Sequence, residues 1–502
     1  MKLPALHLPA RPANAAGLPG VIGLFLLVCL LAMFVGLLAV TGSVFLIGAF
    51  AGAGIGLALL FSPNLLFAAT MLFAMVLGGL AEFYLHIGQA NWISSGLAAA
   101  LGASAVLAVY RKEKGVPIAG RLLPAVGPLV LLYVLALFSA SLLSLISLTQ
   151  LTVGIRNALP FLGVFLAIRY AIAAQLVERI PYALVWIGMA QLPFCLHQFV
   201  IVGAQRRTSM ASMGGEAEAV NGTFGGNMLG FGYSGSMAVF VLIAASLALA
   251  LRSGEKGKWL ARLMPLAALA CVGMAETKIV FVLAPPVLLL VFWEDIKASP
   301  RKLFGLLGGM GMVLGTLAAI YAYRFWSHGF SDFWQAFTYS FDPDFMVTSE
   351  YRGRVGTLIY WWNQNVVAGD IPHTLFGYGM GSTLEASRVL GVGSAVLEFG
   401  PGLDQHAASK LLWDTGVIGL VFFCWIAIRT GFNAHRLVRS ASLSPLHVGM
   451  MKTSRGAMLA FLAMLPYQVS LVGEAPTQAL FWLFVGYVAY WRHQYMLGNV
   501  KA

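Results

Sequence analysis

The sequence predicts an all-α polytopic membrane protein with about 14 transmembrane helices and a long, partly helical outer loop. Hydrophobic residues make up 59% of the 502 residues, charged residues make up only 10%, and the mean hydropathy is +0.83. A soluble globular protein carries about a quarter charged residues. Apolar runs of about 20 residues, long enough to cross the hydrocarbon core of a bilayer, recur along the chain. These observations exclude a soluble enzyme with a peripheral membrane anchor, a disordered chain and a secreted disulfide scaffold.

The apolar runs are the predicted transmembrane helices. Their approximate limits are 21–40, 43–61, 64–86, 91–110, 124–146, 153–172, 181–202, 226–251, 259–275, 278–293, 303–323, 408–429, 454–473 and 476–491. The first run follows Lys2 and Arg11 and has no clear cleavage site, so we expect a retained signal anchor. The ninth and tenth runs are short and are joined by Glu276-Thr277-Lys278, so a re-entrant pair is the alternative there.

Two outer loops, 203–225 and 324–407, interrupt the apolar runs. The second is too long for a simple connection and is rich in aromatic, glycine and polar residues, so we expect short helices that carry the active site. The predicted division is therefore 1–323 with helices 1–11, the loop 324–407, and 408–502 with helices 12–14.

Basic residues determine the predicted orientation. With both termini in the cytoplasm, most of the 31 Lys and Arg residues fall in cytoplasmic segments. This is the positive-inside pattern of membrane proteins. The bias also accounts for the net charge of +12, so the charge does not indicate a nucleic-acid partner.

A minority of basic residues lie in outer loops or within apolar runs. A cation at the centre of a membrane helix costs about 2.5–3.5 kcal/mol of insertion energy, so those that are present are candidates for binding an anion. The alternative is that each pairs with an outer acid or reaches lipid phosphate. These residues are Arg156, Arg206, Arg207, Lys278, Arg324, Arg352, Arg354, Arg388 and Lys410.

A histidine precedes the twelfth apolar run, with a cation and an acid one and two helical turns further on. His406, Lys410 and Asp414 follow i, i+4, i+8 spacing and should share one helix face. An imidazole with a pKa near 6.5 is suited to take a proton from an alcohol. We therefore expect His406 to be catalytic, oriented by Asp414 or Asp404; the alternative is a hydrated histidine at the headgroup level.

The long outer loop also contains groups suited to a phosphate-linked sugar. Arg352 and Arg354 can bind phosphate with both edges of the guanidinium fork. Backbone N–H groups in the sequence Gly377-Tyr-Gly379-Met-Gly381 can form an anion-binding nest, and the ring of Trp361 can stack on a sugar. Together these elements predict a binding site at the membrane surface.

A metal is not expected at this site. Asp342-Pro343-Asp344 resembles the paired-acid motif by which many glycosyltransferases hold a divalent cation. Because a proline lies between the two acids and phenylalanines flank them, a turn is the favoured interpretation. We expect no cofactor.

The order of these elements resembles that of the O-antigen ligase/polymerase family of bacterial envelope proteins, over about residues 200–430. The matching elements are Gly222-Thr223-Phe224-Gly225-Gly226-Asn227, the short helix pair at Glu276-Thr277-Lys278, Arg352/Arg354 with the following Trp, Gly377-Tyr-Gly379-Met-Gly381, and His406 before Gly416-Val-Ile-Gly419-Leu.

The resemblance implies a metal-independent glycosyltransferase at the periplasmic face of the bacterial inner membrane. It would move a glycan from an undecaprenyl pyrophosphate carrier to an acceptor hydroxyl, with inversion. By resemblance, His406 is the essential loop histidine and Arg352 or Arg354 binds pyrophosphate. Arg206 or Arg207 would replace an arginine that the family often has at Asn221, and Lys278 is a further candidate cation.

The acceptor and the rival function remain open at this point. The many spans and the long loop favour a polysaccharide polymerase, with a chain-length regulator as a candidate partner, over a ligase that uses a lipid A core sugar. The alternative from another class is a secondary transporter or lipid flippase. Polar residues within apolar runs would serve such a protein: Arg156, Gln191, His197 and Gln198.

Overall fold

A computed structural model describes most of the chain from Ser62 onward. The described residues are 62–112, 126–208, 220–226, 233–252, 255–299, 301, 304–305, 308–309, 311, 315–316, 319, 342–346, 351–385, 391–440 and 442–498. All of them belong to one compact unit that begins at Ser62. The predicted spans 21–40 and 43–61 and most of 303–323 lie outside the described residues.

Every regular element among the described residues is helical, and a single isolated β-bridge joins Met346 to Arg352. The helices are α1 Pro63–Leu85, α2 Ala90–Lys112, α3 Gly127–Leu143, α4 Leu148–Ala158, α5 Leu162–Tyr170, α6 Ala174–His197, α7 Ser234–Ala250, α8 Glu255–Ala275, α9 Ile279–Val291, α10 Trp293–Ala298, α11 Arg354–Trp362, α12 Ile371–Phe376, α13 Ser394–Phe399, α14 Ala407–Ser440, α15 Pro445–Met464, α16 Ser470–Gly473 and α17 Ala475–Met496. The fold is therefore all-α where it is described.

Five helices in the described part are long and apolar enough to cross a membrane, which makes this a membrane-embedded protein. They are Pro63–Leu85, Ala90–Val109, Ala174–Gln205, Gly257–Ala275 and Ala407–Ser440. The pair α4 and α5, bent by 51° relative to each other, would make a sixth if the two are counted as one span. The expected number of about 14 is thus not confirmed.

Helix length accounts for part of the shortfall. The runs 124–146, 226–251 and 278–293 become helices of 17, 17 and 13 residues. With a rise of 1.5 Å per residue, a 13-residue helix is only about 20 Å long, shorter than the ~30 Å hydrocarbon core. Hydropathy identifies apolar segments, whereas the bends and helix ends determine whether each one crosses the membrane.

Two helices form the interior of the fold. In α7, every residue from Gly235 to Ala248 is buried, and in α17 every residue from Ala475 to Ala489 is buried. A helix that is apolar on all sides belongs in a core. Helix α14 packs along α15, α3 and α17, and this packing positions the candidate site at the start of α14.

Ion pairs connect α10 to α15. Arg455 donates to both carboxylate oxygens of Glu294, at 2.5 and 2.6 Å, and the ammonium of Lys452 lies 2.9 Å from Asp295. The orientation predicted from the charge bias places all four residues on the same side of the membrane. Their contacts are consistent with that placement.

Candidate active site

The candidate site lies at the start of α14, which is interrupted by a glycine. Gly416 has φ 64° and ψ −168°, outside the helical region, so the first part of the helix ends there. His406, Lys410 and Asp414 all precede this break. The break thus separates the polar start of the helix from its apolar continuation.

The turn between α15 and α16 satisfies the first N–H groups of α14. The N–H of Ala407 donates to the Gln468 carbonyl at 3.1 Å, and the N–H of Ala408 donates to the Leu465 carbonyl at 2.8 Å. The start of a helix leaves such donors without partners inside the helix itself. This turn therefore holds the start of α14 in place.

His406 is fully buried and uses both ring nitrogens within the protein. Its Nδ1 accepts the backbone N–H of Ser409 at 3.1 Å, and its Nε2 lies 3.0 Å from the Arg354 carbonyl. Because the carbonyl can only accept, the hydrogen-bond network assigns the proton to Nε2. Burial lowers the pKa of His406 to about 4, so the imidazole is neutral at neutral pH.

The partners of His406 differ from those expected. The sequence predicts that Asp414 or Asp404 orients the imidazole, but a backbone carbonyl and a backbone N–H occupy its two nitrogens. Arg354 lies 52 residues upstream, so its approach depends on the fold of the outer loop. The structure thus brings the predicted catalytic histidine into contact with a predicted anion-binding arginine.

Asp414 is instead held by Lys410 and by the segment after the glycine-rich loop. Lys410 Nζ lies 3.2 Å from the carboxylate of Asp414 and donates to Thr383 Oγ1 at 2.7 Å. Asp414 also accepts from the Ser382 hydroxyl at 2.8 Å. Both charged residues are buried, so their attraction is little screened by solvent.

A small cavity adjoins this ion pair. Its volume is about 30 Å³, enough for about two water molecules. Besides Lys410 and Asp414, its polar lining includes Asn157 of α4 and Gln478 of α17. The cavity therefore leaves room for water beside the ion pair.

Asp404 lies on a turn that is fixed on both sides. The N–H of Gly402 donates to the Glu385 carboxylate at 2.7 Å, and the hydroxyl of Ser409 donates to the Leu403 carbonyl at 2.6 Å. These contacts fix the backbone just before Asp404, which lies two residues before His406.

The charges around Asp404 oppose one another. Burial raises the pKa of Asp404 to about 6. The ammonium of Lys410 lowers this pKa, whereas the carboxylates of Glu385 and Asp414 raise it. At neutral pH the group is therefore mostly ionised but remains a stronger base than an ordinary carboxylate.

The two predicted phosphate-binding arginines lie against tyrosine rings. The guanidinium carbon of Arg352 is 3.7 Å from the centre of the Tyr360 ring, and that of Arg354 is 4.5 Å from the centre of the Tyr467 ring. Arg354 Nε also donates to the Tyr467 carbonyl at 2.7 Å. Within the described ranges, no carboxylate lies within 4 Å of the Arg352 guanidinium, so its charge is not neutralised by one of those acids.

The glycine-rich loop does not form the expected anion nest. Gly377, Gly379 and Gly381 are all buried between α3, α4 and α14. The N–H of Tyr378 donates to the Trp413 carbonyl at 2.7 Å, and the N–H of Met380 donates to the Ser141 hydroxyl at 3.1 Å. These donors are used inside the protein, so the role of this loop is to pack the outer segment onto α14.

Trp361 is buried as well, which removes it from the expected role of stacking on a sugar. It is 4% exposed and belongs to an aromatic cluster with Tyr378 and Trp413. The next residue, Trp362, is 54% exposed. Because α11 turns by 100° per residue, its packing decides which of two adjacent tryptophans faces outward, and the sequence does not show this.

The remaining predicted cations are described only in part. Arg206 and Arg207 lie in the short helix Gly203–Thr208, and their side chains are outside the described part of the structure. Lys278 precedes α9 at the junction with α8, where Glu276 has a φ of 49°. Arg324 and Arg388 are outside the described residues.

The metal motif forms a local turn. The carboxylate of Asp342 accepts the N–H of Asp344 at 3.0 Å. Asp commonly closes a turn in this way. Among the described residues, no group of three or more His, Cys, Asp or Glu side chains could hold a metal ion.

No protein-family model matches this chain, and no curated protein matches it.

Two buried glutamines hold the loop that contains Gly222-Thr223-Phe224: Gln191 lies in α6, and Gln198 lies in the π-helical segment Gln198–Val202 that continues it. Gln198 Oε1 accepts the N–H groups of Asn221 and Gly222 at 2.9 and 2.7 Å, and its Nε2 donates to the Gly222 carbonyl at 2.8 Å. Gln191 Oε1 accepts the N–H of Thr223 at 2.8 Å. These intramembrane amides, which the transporter alternative would use for substrate, thus have partners within the protein.

Replacing Gln198 tests this structural role. Gln198→Ala is expected to lower the free energy of unfolding by about 2–4 kcal/mol, because three hydrogen bonds are lost and buried backbone groups lose their partners. Chemical denaturation in detergent measures the change. The exposed Gln89→Ala is the control and should stay within about 0.5 kcal/mol of wild type. Unchanged stability in the Gln198 variant would contradict this role.

Proposed function

We propose that this protein is a metal-independent, inverting glycosyltransferase of the O-antigen polymerase/ligase type. It moves a glycan from undecaprenyl pyrophosphate to an acceptor hydroxyl at the periplasmic face of the bacterial inner membrane, and both termini are cytoplasmic. Polymerase activity, with a second carrier-linked glycan as acceptor, is favoured over transfer to lipid A core. A chain-length regulator is a candidate partner of the polymerase.

One observation carries the proposal. The 3.0 Å contact between His406 Nε2 and the Arg354 carbonyl joins two segments whose side chains suit different chemistry, proton transfer and anion binding. The contact lies at the start of α14, a helix long and apolar enough to span a membrane. A lipid-linked pyrophosphate requires this combination of a cation and a proton-accepting group at the mouth of a span.

The chemistry needs little beyond positioning and charge. The acceptor oxygen forms a bond to the anomeric carbon while the bond from that carbon to the pyrophosphate oxygen breaks. Pyrophosphate is already a good leaving group, so the protein has to bind its charge and orient the acceptor. We assign the charge to Arg352 and Arg354, with Arg206, Arg207 and Lys278 as further cations, and proton transfer to the group formed by His406, Asp404 and Asp414.

The contacts of the buried amides favour an enzyme over a transporter. Gln191 and Gln198 hold a loop rather than line an open path. A transporter should instead present polar groups near the middle of the bilayer to its substrate.

Transfer with purified protein tests the proposal. The protein in nanodiscs is given a synthetic undecaprenyl-pyrophosphate oligosaccharide, with either the same compound or a lipid A core as acceptor, and products are measured by mass spectrometry. We expect elongated carrier-linked glycan, and we expect it to form equally in excess EDTA. Loss of activity on chelation, restored by magnesium and absent in Asp342→Asn and Asp344→Asn, would contradict the metal-free reaction. Absence of any transfer, together with uptake by proteoliposomes, would favour the transporter.

Substitution of the arginines should weaken carrier binding. Arg352→Ala and Arg354→Ala each remove a charge-assisted phosphate contact, at a cost of about 1.5–3 kcal/mol in binding free energy. Lysine at either position should restore only part of it, because the planar fork is lost.

Equilibrium binding of an undecaprenyl pyrophosphate analogue measures the effect. Arg492→Ala is a matched control, because this arginine also lies over a tyrosine ring, that of Tyr495, but is far along the chain in α17. Unchanged affinity in both Arg352→Ala and Arg354→Ala would show that neither contacts pyrophosphate.

A further inference from the structure

We propose that Asp404 takes the proton from the acceptor hydroxyl and that His406 is a positioning residue. This inference rests on the proposed function and assigns one of its steps to a particular atom. The base must be a group near the arginines with a lone pair that the acceptor hydroxyl can use.

His406 does not offer such a lone pair in this structure. Its Nε2 carries the proton that is donated to Arg354, and its Nδ1 lone pair receives the N–H of Ser409. To accept a proton at Nδ1, the ring would have to break the bond that caps α14. It is also fully buried among backbone groups. Its contacts hold the segment that contains Arg354 against the start of α14.

Asp404, unlike His406, has a lone pair that an acceptor hydroxyl can use. Its turn is fixed by Glu385 on one side and Ser409 on the other, and its carboxylate accepts a hydrogen bond from the N–H of Asp404 itself. Across the described part of the chain, no side chain donates a hydrogen bond to that carboxylate. It lies two residues before His406, whose Nε2 donates to the Arg354 carbonyl.

Three charged groups face Asp404 and act on its pKa. Lys410 of α14 stabilises the ionised form, while Asp414 of α14 and Glu385 of the outer loop disfavour it. Burial is the largest cause of the raised pKa, and the value of about 6 suits a general base that works near neutral pH. Lys410 also bonds to Asp414 and Thr383, so its ammonium is held in position.

An oxygen of the Asp404 carboxylate gains the hydroxyl proton as the acceptor oxygen bonds to the anomeric carbon. The bond from that carbon to the pyrophosphate oxygen breaks, and its electron pair leaves with the pyrophosphate near Arg352 and Arg354. The neutral Asp404 then returns its proton to water.

The first test is the pH dependence of transfer. Wild-type kcat should fall below pH of about 6, and Asp404→Asn should lose about 100-fold or more in kcat, with little change in KM and without this acidic limb. Asp404→Glu should recover part of the rate. Lys410→Gln should move the limb to higher pH and Lys410→Arg should restore it, which a merely structural role would not do.

Control variants test whether another titratable group is responsible for the acidic limb. Glu398→Gln removes an exposed carboxylate of the same loop and should change nothing. His373 is a second histidine of the outer segment, and unlike His406 it has a carboxylate partner, Asp370, at 2.7 Å. An acidic limb that persists in Asp404→Asn, or that disappears in His406→Asn or His373→Asn, overturns the inference.

The second test needs no transfer at all. A folded-state pKa of about 6 lies above the ordinary value of about 3.9, so the stabilisation from the protonated group is complete below pH of about 4 and is lost as pH rises to about 6. The Tm of Asp404→Asn should therefore exceed that of wild type by an amount that grows over this range and is then constant. A difference in Tm that does not vary with pH overturns the inference.

The two tests also distinguish failure of the inference from failure of the proposed function. If wild-type protein transfers glycan and Asp404→Asn is equally active, the inference alone is overturned. If wild-type protein transfers none under any condition, the proposed function is overturned, and the inference falls with it.

Discussion

His406→Ala is expected to lower the rate of glycan transfer by about 100-fold or more while the protein still folds and inserts. The substitution removes the cap of α14 and the contact to the Arg354 carbonyl. Loss of a helix cap costs about 0.5–2 kcal/mol, which a folded domain tolerates. A displacement of about 1 Å at a reacting group can, however, cost about 100-fold in rate.

Two amide variants separate positioning from proton transfer at this residue. In His406→Asn the side-chain oxygen can still accept the Ser409 N–H, and in His406→Gln the longer side chain can still donate to the Arg354 carbonyl. Neither amide can take a proton at neutral pH. We expect both to recover a large part of the lost rate in the nanodisc assay. Rates as low as that of the alanine variant would assign the proton transfer to the imidazole.

His197→Ala is the matched control for the loss of an imidazole. His197 Nδ1 lies 3.1 Å from the hydroxyl of Tyr84, and both residues are remote in sequence from the site. The rate of this variant should equal that of wild type. A comparable fall would mean that the loss in His406→Ala is not specific to the site.

Gly377→Ala and Gly416→Ala are expected to destabilise the fold by about 3–5 kcal/mol or to prevent folding. Both glycines have a conformation that is nearly exclusive to glycine, with φ 71°, ψ −170° and φ 64°, ψ −168°. A Cβ on Gly377 would lie 2.5 Å from the backbone nitrogen of Thr415, and one on Gly416 would lie 2.3 Å from the carbonyl carbon of Leu375. Backbone atoms cannot move aside at little cost, so α12 and α14 would have to separate.

Gly400→Ala isolates the effect of this crowding. Gly400 has nearly the same backbone conformation, φ 87° and ψ 176°, but no atom lies within 4 Å of the position of an added Cβ. Its substitution should therefore cost only the conformational strain, about 1–3 kcal/mol. Denaturant unfolding in detergent compares the three variants. Equal losses at Gly377, Gly416 and Gly400 would show that the close approach of α12 and α14 is not important for stability.

The sequence by itself determined the class of protein and the location of most helices. Apolar length and the near absence of charge are local properties, and in a bilayer the backbone must satisfy its own hydrogen bonds, so such segments have to be helical. For the same reason the runs 64–86 and 91–110 closely match α1 and α2, and the run 408–429 lies within α14 and begins one residue after its start. The chemical character of His406 and Arg354 could also be recognised, because it belongs to the side chains themselves.

Only the tertiary structure decided what those residues contact. His406 meets the carbonyl of Arg354 because the outer loop folds back onto α14, and no spacing rule predicts a contact across 52 residues. The glycine-rich loop is buried because its backbone must pass within van der Waals distance of α14, although its composition is equally typical of an exposed anion site. Burial and hydrogen-bond partners are properties of the packed chain, and they determine which of the chemically suitable groups remains available to a substrate.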